Sequence, residues 1–283
     1  MSTGRAEFLV FNSPWSVSPG IIRLRATDGL SADEASRRLL NGELNKPYIF
    51  ETSSERCLHF TRTAVQSRMR LKDPDALVNE YTRKMMSFLL FNPDPRHLVM
   101  VGLGGGSIPK FCYRHFPAMH ITAIEIDADV IALRNEFCIP PDDDRFRIVH
   151  ADGARYISKL PTPADVILID AFDPQGVAPA LAKSDFYERA AASLTPDGLL
   201  VMNLSGRQDR YLPHIERIRE AFEGSAVLVP VPSDDNTLLF AFKGPVPLSM
   251  STDFQSRAQQ LQSRLSLEFP KYLRRISQGE ILS

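Results

Sequence analysis

Residues 97–127 read HLVMVGLGGGSIPKFCYRHFPAMHITAIEID, and this stretch decides the fold. The apolar run 98–101 has the length of a buried strand, and a glycine-rich turn follows it directly. A helix is predicted from about residue 108 to residue 115, and a second apolar run at 121–124 ends at Glu125. The order strand, glycine turn, helix, strand and acid is typical of nucleotide-binding α/β folds.

The glycine turn contains Gly104, Gly105 and Gly106, which we predict to contact a nucleoside ligand. Glycine permits a tight turn and a close approach of the backbone to a ligand because no side chain intervenes. Glu125, at the end of the next strand, is well placed to accept hydrogen bonds from a ribose diol. The alternative is an ordinary turn between a strand and a helix, with Glu125 as a solvated strand end.

The details of the turn argue against NAD or FAD as the ligand. A dinucleotide fingerprint requires G-x-G-x-x-G, whereas Ser107 occupies the position of the last glycine. Pro109 then removes a backbone N–H group where a pyrophosphate needs donors. An adenosyl ligand without phosphate, such as S-adenosylmethionine or a derivative of it, fits the sequence better.

The composition is that of an ordinary globular protein, because 43% of the 283 residues are hydrophobic and 24% are charged. The formal net charge of -1 gives no overall field that attracts nucleic acid or an anionic membrane. No apolar stretch approaches the roughly 20 residues that span a bilayer, and the N-terminus lacks the apolar core of a signal peptide. We therefore expect a soluble, cytoplasmic protein whose partners are small molecules.

Turn signals and changes of periodicity divide the chain into four segments. They are an N-terminal extension (1–46), a small antiparallel β-sheet with a linking helix (47–95), a Rossmann-like domain (96–244) and a C-terminal helical tail (245–283). In the second segment the predicted strands are 48–50, 56–60 and 64–69, and the predicted helix is 76–91. A capping-box pattern at 31–34 predicts another helix, which runs to Leu40.

From residue 96 onwards, apolar runs alternate with helical patterns, which indicates a mainly parallel sheet. Further strands are predicted at 146–149, 165–169 and 198–203, and the runs 226–231 and 238–242 are predicted to form a hairpin at the sheet edge. Terminal helices are predicted at 253–267 and 272–281. By analogy at the level of the fold, this is a class I methyltransferase-like α/β Rossmann sheet, preceded by a small antiparallel sheet.

Three acidic residues lie at the ends of predicted strands: Glu125, Asp152 and Asp170. We expect them to share one rim with the glycine turn, because ligands of open α/β sheets bind beyond the carboxyl ends of the strands. Asp152, with Gly153 after it, can accept a hydrogen bond from an adenine amino group. Asp170 ends the fourth strand, and Asp173 lies three residues further on. Such a pair suits a cationic substrate, and one carboxylate can take a proton from an attacking amine. The alternatives are a helix cap or turn at Asp170, or a Mg²⁺ site.

The chain resembles the spermidine synthase (polyamine aminopropyltransferase) family over residues 47–244, and looks like a divergent member of it. The residues that carry the resemblance are GGG (104–106), IEID (124–127), HADG (150–153), DVILIDAFDP (165–174), FY (186–187) and LTPDG (194–198). The family moves an aminopropyl group from decarboxylated S-adenosylmethionine to a polyamine and releases methylthioadenosine. The resemblance implies the same reaction here, without a metal, in a homodimer.

The resemblance also implies roles for individual residues. Glu125 would hold the ribose of the donor, Asp152 its adenine, and Gln66 the region near the sulfonium. Asp170 would be the catalytic acid or base. Asp173 would anchor the substrate amine.

On the acceptor side, a tyrosine–histidine pair of the family appears here as Tyr81 and Thr82, and we expect Tyr81 to bind substrate. Ser107 stands where the family has an aspartate that contacts the amines, and residues 230–232 lack the family's tyrosine. The donor side is therefore kept while several acceptor residues are lost, which indicates an acceptor other than putrescine or weak activity.

Two other functions stay open. A methyltransferase that uses intact S-adenosylmethionine needs a cation for the donor carboxylate, and Lys110 and Arg83 are the candidates. A non-catalytic homologue that binds a nucleoside is the second, and the retention of Asp170 and Asp173 argues against it.

Overall fold

In the residues that it describes, the computed structural model contains two large β-sheets and a third sheet of two very short strands. Short helices join the two large sheets. It describes residues 8–15, 19–26, 29–44, 46–62, 64–173, 176–177, 181, 185–205, 208–232, 236–247 and 252–282.

The smaller sheet is antiparallel throughout and follows the chain order. Its strands are β1 (Phe8–Asn12), β2 (Ile21–Arg25), β3 (Tyr48–Glu51), β4 (Glu55–His59) and β5 (Val65–Arg70). The three predicted strands of this sheet are confirmed, and β1 and β2 extend it from the segment 1–46. Helix α1 (Ala32–Asn41) begins where the capping box predicts, because the Ser31 side chain accepts a hydrogen bond from the Glu34 N–H group.

The larger sheet has the order β15-β13-β14-β12-β9-β6-β7-β8. Its strands are β6 (His97–Val101), β7 (His120–Glu125), β8 (Phe146–His150), β9 (Ala164–Ile169), β12 (Leu194–Ser205), β13 (Ala226–Val231), β14 (Asn236–Phe242) and β15 (Glu280–Leu282). Strands β8, β7, β6, β9 and β12 are parallel, whereas β14, β13 and β15 add antiparallel pairs. The predicted parallel sheet and its edge hairpin are therefore confirmed. Two very short strands, β10 (Phe172–Asp173) and β11 (Gly176–Val177), pair beside it.

Helices cover both faces of the larger sheet. They are α2 (Glu80–Met85), α3 (Phe88–Phe91), α4 (Ser107–His115), α5 (Ala128–Ala132), α6 (Gly153–Ile157), α7 (Phe186–Ala192), α8 (Gln208–Ala221), α9 (Thr252–Leu265) and α10 (Phe269–Ser277). Strand side chains alternate between the faces: in β9, Val166 and Leu168 join the core under α2, α4 and α9, while Ile167 and Ile169 join the core under α6 to α8. Burial on both faces explains the continuous apolar runs of these strands.

The predicted helix at 76–91 is wrong in its extent. The chain turns at residues 73–79, α2 begins at Glu80, and a break at residues 86–87 separates α2 from α3. Arg83 Nη1 binds Leu77 O and Val78 O, the carbonyl groups that would accept from residues 81 and 82 in a continuous helix, and Lys110 Nζ binds Pro74 O in the turn before them.

The predicted helix at 272–281 is also corrected. Helix α10 ends at Ser277, and residues 280–282 form β15 on the outer edge of β13. Gly279 permits this change of direction, because a Cβ atom there would lie 2.6 Å from the carbonyl oxygen of Leu228. The division of the chain into four segments stays a prediction, although strands from 1–46 and from 47–95 share one sheet.

No helix within the described ranges is both long and apolar enough to cross a membrane.

A buried lysine links the first turn of α4 to two neighbouring loops. Lys110 is 2% exposed, and its ammonium group donates hydrogen bonds of 2.7 Å to both Pro74 O and Phe137 O. Burial lowers the pKa of Lys110 to about 8, and the nearby Cys138 and Asp75 oppose this effect. Burial of this cation therefore lowers the stability of the folded state. Its hydrogen bond to Phe137 O fixes residues 137–139 behind the glycine turn.

We predict a stability contribution from Lys110 that depends on pH. Between pH 8 and pH 10.5, the unfolded chain holds a proton on this lysine that the folded chain has released, so raising the pH stabilises the folded state. The free energy of unfolding, relative to that of Lys110→Met, should rise by on the order of 2–3 kcal/mol across this window. Urea unfolding at several pH values measures it.

The exposed Lys271, replaced in the same way, controls for the general effect of losing a lysine. A difference between the unchanged protein and Lys110→Met that is independent of pH would contradict the prediction.

Candidate active site

The register of the parallel strands brings four residues into one row at the carboxyl end of the larger sheet. The row runs Glu125, Gly102, Asp170, Asn203, each the neighbour of the next across adjacent strands. Backbone hydrogen bonds continue the ladder into this row, from Gly102 N to Ile124 O (2.9 Å) and from Asp170 N to Val101 O (2.9 Å). Glu125 and Asp170 therefore lie on one rim, on either side of the residue at which the glycine turn begins, as the parallel sheet predicts.

The glycine turn is packed so closely that side chains would not fit at several positions. At Gly102, with φ +93°, a Cβ atom would collide with the carbonyl oxygen of Asp170. At Gly105 it would lie 2.6 Å from Ser67 Oγ, and at Gly106, with φ +64°, 2.6 Å from Ile139 Cδ1. Gly104 is different, because its nearest neighbour, Ser67 Cβ, is 3.9 Å away.

Strand β5 of the smaller sheet lies against this turn through Ser67, whose hydroxyl is 3.4 Å from that of Ser107. Gln66 is the preceding residue of the same strand and is partly buried. Its predicted contact near the sulfonium stays a prediction.

Glu125 orders the turn as well as the strand end. Its carboxylate accepts hydrogen bonds of 2.9 Å from the backbone N–H groups of Leu103 and Asp127. A carboxylate offers about four lone-pair sites, so acceptor capacity remains for the hydroxyl groups of a ribose.

Asp152 occupies the N-cap position of α6 and accepts a hydrogen bond of 3.0 Å from Arg155 N. A side chain at Gly153 would collide with Val101 Cγ1, which explains why glycine begins this helix. The cap engages one carboxylate oxygen of Asp152 and leaves the other as a possible acceptor.

Asp170 is held by donors from two different elements. Tyr81 Oη of α2 donates to Oδ2 (3.1 Å), and Asn203 Nδ2 of β12 donates to Oδ1 (2.9 Å). Burial raises the pKa of the Asp170 carboxyl, and the hydrogen bonds from Asn203 and Tyr81 act in the opposite direction. A carboxylate with a raised pKa is a stronger base than an ordinary aspartate, which suits it to accept a proton.

Sequence reasoning missed Asn203 and its own partner. Asn203 Oδ1 accepts a hydrogen bond of 2.7 Å from Asn236 Nδ2 of β14, and both residues are buried. The signal was available, because an asparagine inside the apolar runs LLVMNLS and NTLLFAF needs a partner in the core.

Asp173 lies in β10, whose backbone pairs with β11. Its side chain is outside the described residues, so its predicted role as an amine anchor stays a prediction.

The comparisons with known proteins decide the family. The profile described as "Spermine/spermidine synthase domain" matches residues 59–220. The chain belongs to this family.

The similarity extends to whole proteins. The chain is 38% identical over 231 residues to the polyamine aminopropyltransferase of Chromobacterium violaceum, which covers 81% of this chain and 88% of the relative. The spermidine synthase structure from Thermotoga maritima superimposes with a TM-score of 0.59 at 18% identity, over 98% of this chain and 93% of that one. Human methyltransferase-like protein 13, in complex with SAH, gives a TM-score of 0.57 at 27% identity, over 66% and 93%. The predicted family and fold class are both confirmed.

The residues that the sequence predicts to differ from the family on the acceptor side have the following places in the structure. The Thr82 hydroxyl is buried and donates to Asn79 O (2.7 Å), and Ser107 begins α4. Residues 230–231 belong to β13. The two cations considered for a donor carboxylate are engaged with backbone carbonyl groups, Lys110 with Pro74 and Phe137, and Arg83 with Leu77 and Val78.

The described residues contain no group of three or more His, Cys, Asp or Glu side chains arranged to hold a metal ion.

We predict that Gly102→Ala destabilises this family member more than Gly104→Ala. Both glycines have positive φ, +93° and +52°, so alanine is strained at either position by about 1–2 kcal/mol. Only at Gly102 does the new methyl group collide with the backbone of Asp170, which should add about 1–3 kcal/mol. Urea unfolding of the two variants measures the difference, and equal losses would show that the contact of Gly102 with Asp170 does not constrain the fold.

Proposed function

We propose that this chain is a polyamine aminopropyltransferase that uses decarboxylated S-adenosylmethionine as donor. Membership of the spermine/spermidine synthase family supports the reaction class. The observation that carries the mechanism is the Asp170 carboxylate, held at a strand end by Tyr81 and Asn203 beside the glycine turn.

In the proposed reaction, the amine nitrogen forms a bond to the aminopropyl carbon that is attached to sulfur. The carbon–sulfur bond breaks, and its electron pair stays on sulfur, so the leaving group is the neutral thioether methylthioadenosine. The attacking amine must lose one proton, and Asp170 accepts it. Alignment of amine and sulfonium supplies the larger part of the rate, up to about 7–11 kcal/mol, and general base catalysis adds typically about 10²–10⁴-fold.

The donor would lie along the row of strand ends. Gly104, Gly105 and Gly106 give its adenosyl group access to the backbone, and the remaining acceptor sites of Glu125 bind the ribose. Asp152, preceding Gly153, accepts from the adenine amino group. Gln66 of β5 faces the sulfonium region.

The acceptor amine would lie between Asp170 and Asp173, with Tyr81 as a further contact. Ser107 and Thr82 are uncharged, so this end of the site carries less negative charge than the family pattern. A polyamine other than putrescine is therefore the expected acceptor.

The engagement of Lys110 and Arg83 favours the decarboxylated donor over S-adenosylmethionine itself. Intact S-adenosylmethionine brings a carboxylate that a cation must balance, and these two cations are bound to carbonyl groups. A methyltransferase remains the second candidate, because the chain also resembles human methyltransferase-like protein 13 in complex with SAH. We further propose a cytoplasmic homodimer that needs no metal, on the resemblance to the family.

Replacement of Asp170 tests the mechanism. We predict that Asp170→Asn lowers kcat by about 10²–10⁴-fold, because asparagine cannot accept the amine proton. Binding of methylthioadenosine should change by less than threefold, since Asp170 contacts the amine rather than the nucleoside. Turnover is measured as methylthioadenosine formed from decarboxylated S-adenosylmethionine and a panel of polyamines.

Asp197→Asn is the matched control, because Asp197 is an exposed aspartate near the start of β12, at the other end of the sheet. Full turnover by Asp170→Asn would remove Asp170 from the mechanism.

A further inference from the structure

Two asparagines form a chain of hydrogen bonds that ends on Asp170. Asn236 Nδ2 donates to Asn203 Oδ1 (2.7 Å), and Asn203 Nδ2 donates to Asp170 Oδ1 (2.9 Å). Asn203 is 2% exposed and Asn236 9% exposed, so neither amide has ready access to water. Asn236 itself does not donate to Asp170, and its effect must pass through Asn203.

The antiparallel pairing of β12 with β14 creates this chain. Asn203 lies opposite Leu238, and Asn236 is two residues from Leu238 on the same face of the sheet. Diagonal neighbours of this kind lie within reach of each other's side chains.

The direction of the hydrogen bonds follows from Asp170. An ionised carboxylate only accepts, so Asn203 must turn its NH₂ group towards Asp170. Its carbonyl oxygen then points to Asn236, which must donate in turn. A half-turn of the Asn203 amide would set its oxygen against the carboxylate and its NH₂ group against the NH₂ group of Asn236, so both hydrogen bonds would be lost.

We propose that Asn236 is a positioning residue, which holds the Asn203 amide with its NH₂ group towards the catalytic carboxylate. This inference rests on the proposed function of Asp170 as the base.

The proposal has a consequence for pH dependence, because hydrogen bonds to the ionised carboxyl oppose the effect of burial on its pKa. Among the side chains that the structure describes, the hydroxyl of Tyr81 from α2 and the amide of Asn203 from β12 bind the Asp170 carboxylate. The charges on α2 are engaged elsewhere, since Lys84 pairs with Glu80, and Arg83 binds carbonyl groups. Loss of the ordered amide should therefore raise the pKa of Asp170 further.

The test is Asn236→Leu, because leucine has nearly the shape of asparagine and no donor. We expect the pKa of Asp170 to rise by about one pH unit, and the ascending limb of the kcat–pH profile to move with it. The carboxyl carbon of Asp170, assigned by its absence in Asp170→Asn, is titrated by ¹³C NMR in protein labelled at aspartate. This readout needs no turnover, so it stands even if the chain transfers a different group.

A double-mutant cycle separates positioning from general damage to the core. In an Asn203→Leu background, Asn236→Leu should leave the pKa of Asp170 unchanged, because no amide remains to be oriented. Asn236→Val serves in the same cycle if the leucine variant does not fold. Binding of methylthioadenosine by Asn236→Leu should stay within threefold of the unchanged protein. The proposal is overturned if Asn236→Leu leaves the pKa of Asp170 where it was, or shifts it equally with and without Asn203.

Discussion

A carboxylate that is withdrawn from water is stable only where hydrogen-bond donors replace the water. Asp170 meets this constraint with the Tyr81 hydroxyl and the Asn203 amide, which come from α2 and β12. Both donors depend on the alignment of β9 with β12 and on the packing of α2 over the same face of the sheet. The core of the larger sheet therefore supports the candidate site directly, because an error in register at this point would leave a partly buried carboxylate without the donors that hold it.

The strand-end residues that we propose for the donor also have structural contacts of their own. The proposed donor side would consist of backbone and strand-end carboxylates: the glycine turn, Glu125 and Asp152. These positions are constrained twice, since Gly102, Gly105 and Gly106 also have no room for a side chain, and Glu125 and Asp152 also bind backbone N–H groups. Thr82 and Ser107, proposed for the acceptor side, have contacts of their own: the Thr82 hydroxyl donates to Asn79 O, and the Ser107 hydroxyl lies 3.4 Å from that of Ser67.

Much of this arrangement was predictable from sequence, because its signals are local. Period and length located β6, β7 and β9, and the rule for parallel sheets then brought Glu125, Asp152 and Asp170 to one edge. The errors arise from distant contacts. Residues 280–282 join β13 as strand β15, and the predicted helix at 272–281 is shortened. Asn236 meets Asn203, 33 residues away, only through the pairing of β14 with β12. No periodicity in the sequence encodes either contact.

The measurement that tests the account most directly is identification of products by mass spectrometry. The purified protein is incubated separately with decarboxylated S-adenosylmethionine and with S-adenosylmethionine, each with the same panel of di- and polyamines. The account predicts methylthioadenosine together with an amine that has gained an aminopropyl group, from the decarboxylated donor alone. S-adenosylhomocysteine together with a methylated amine would contradict it and establish a methyltransferase.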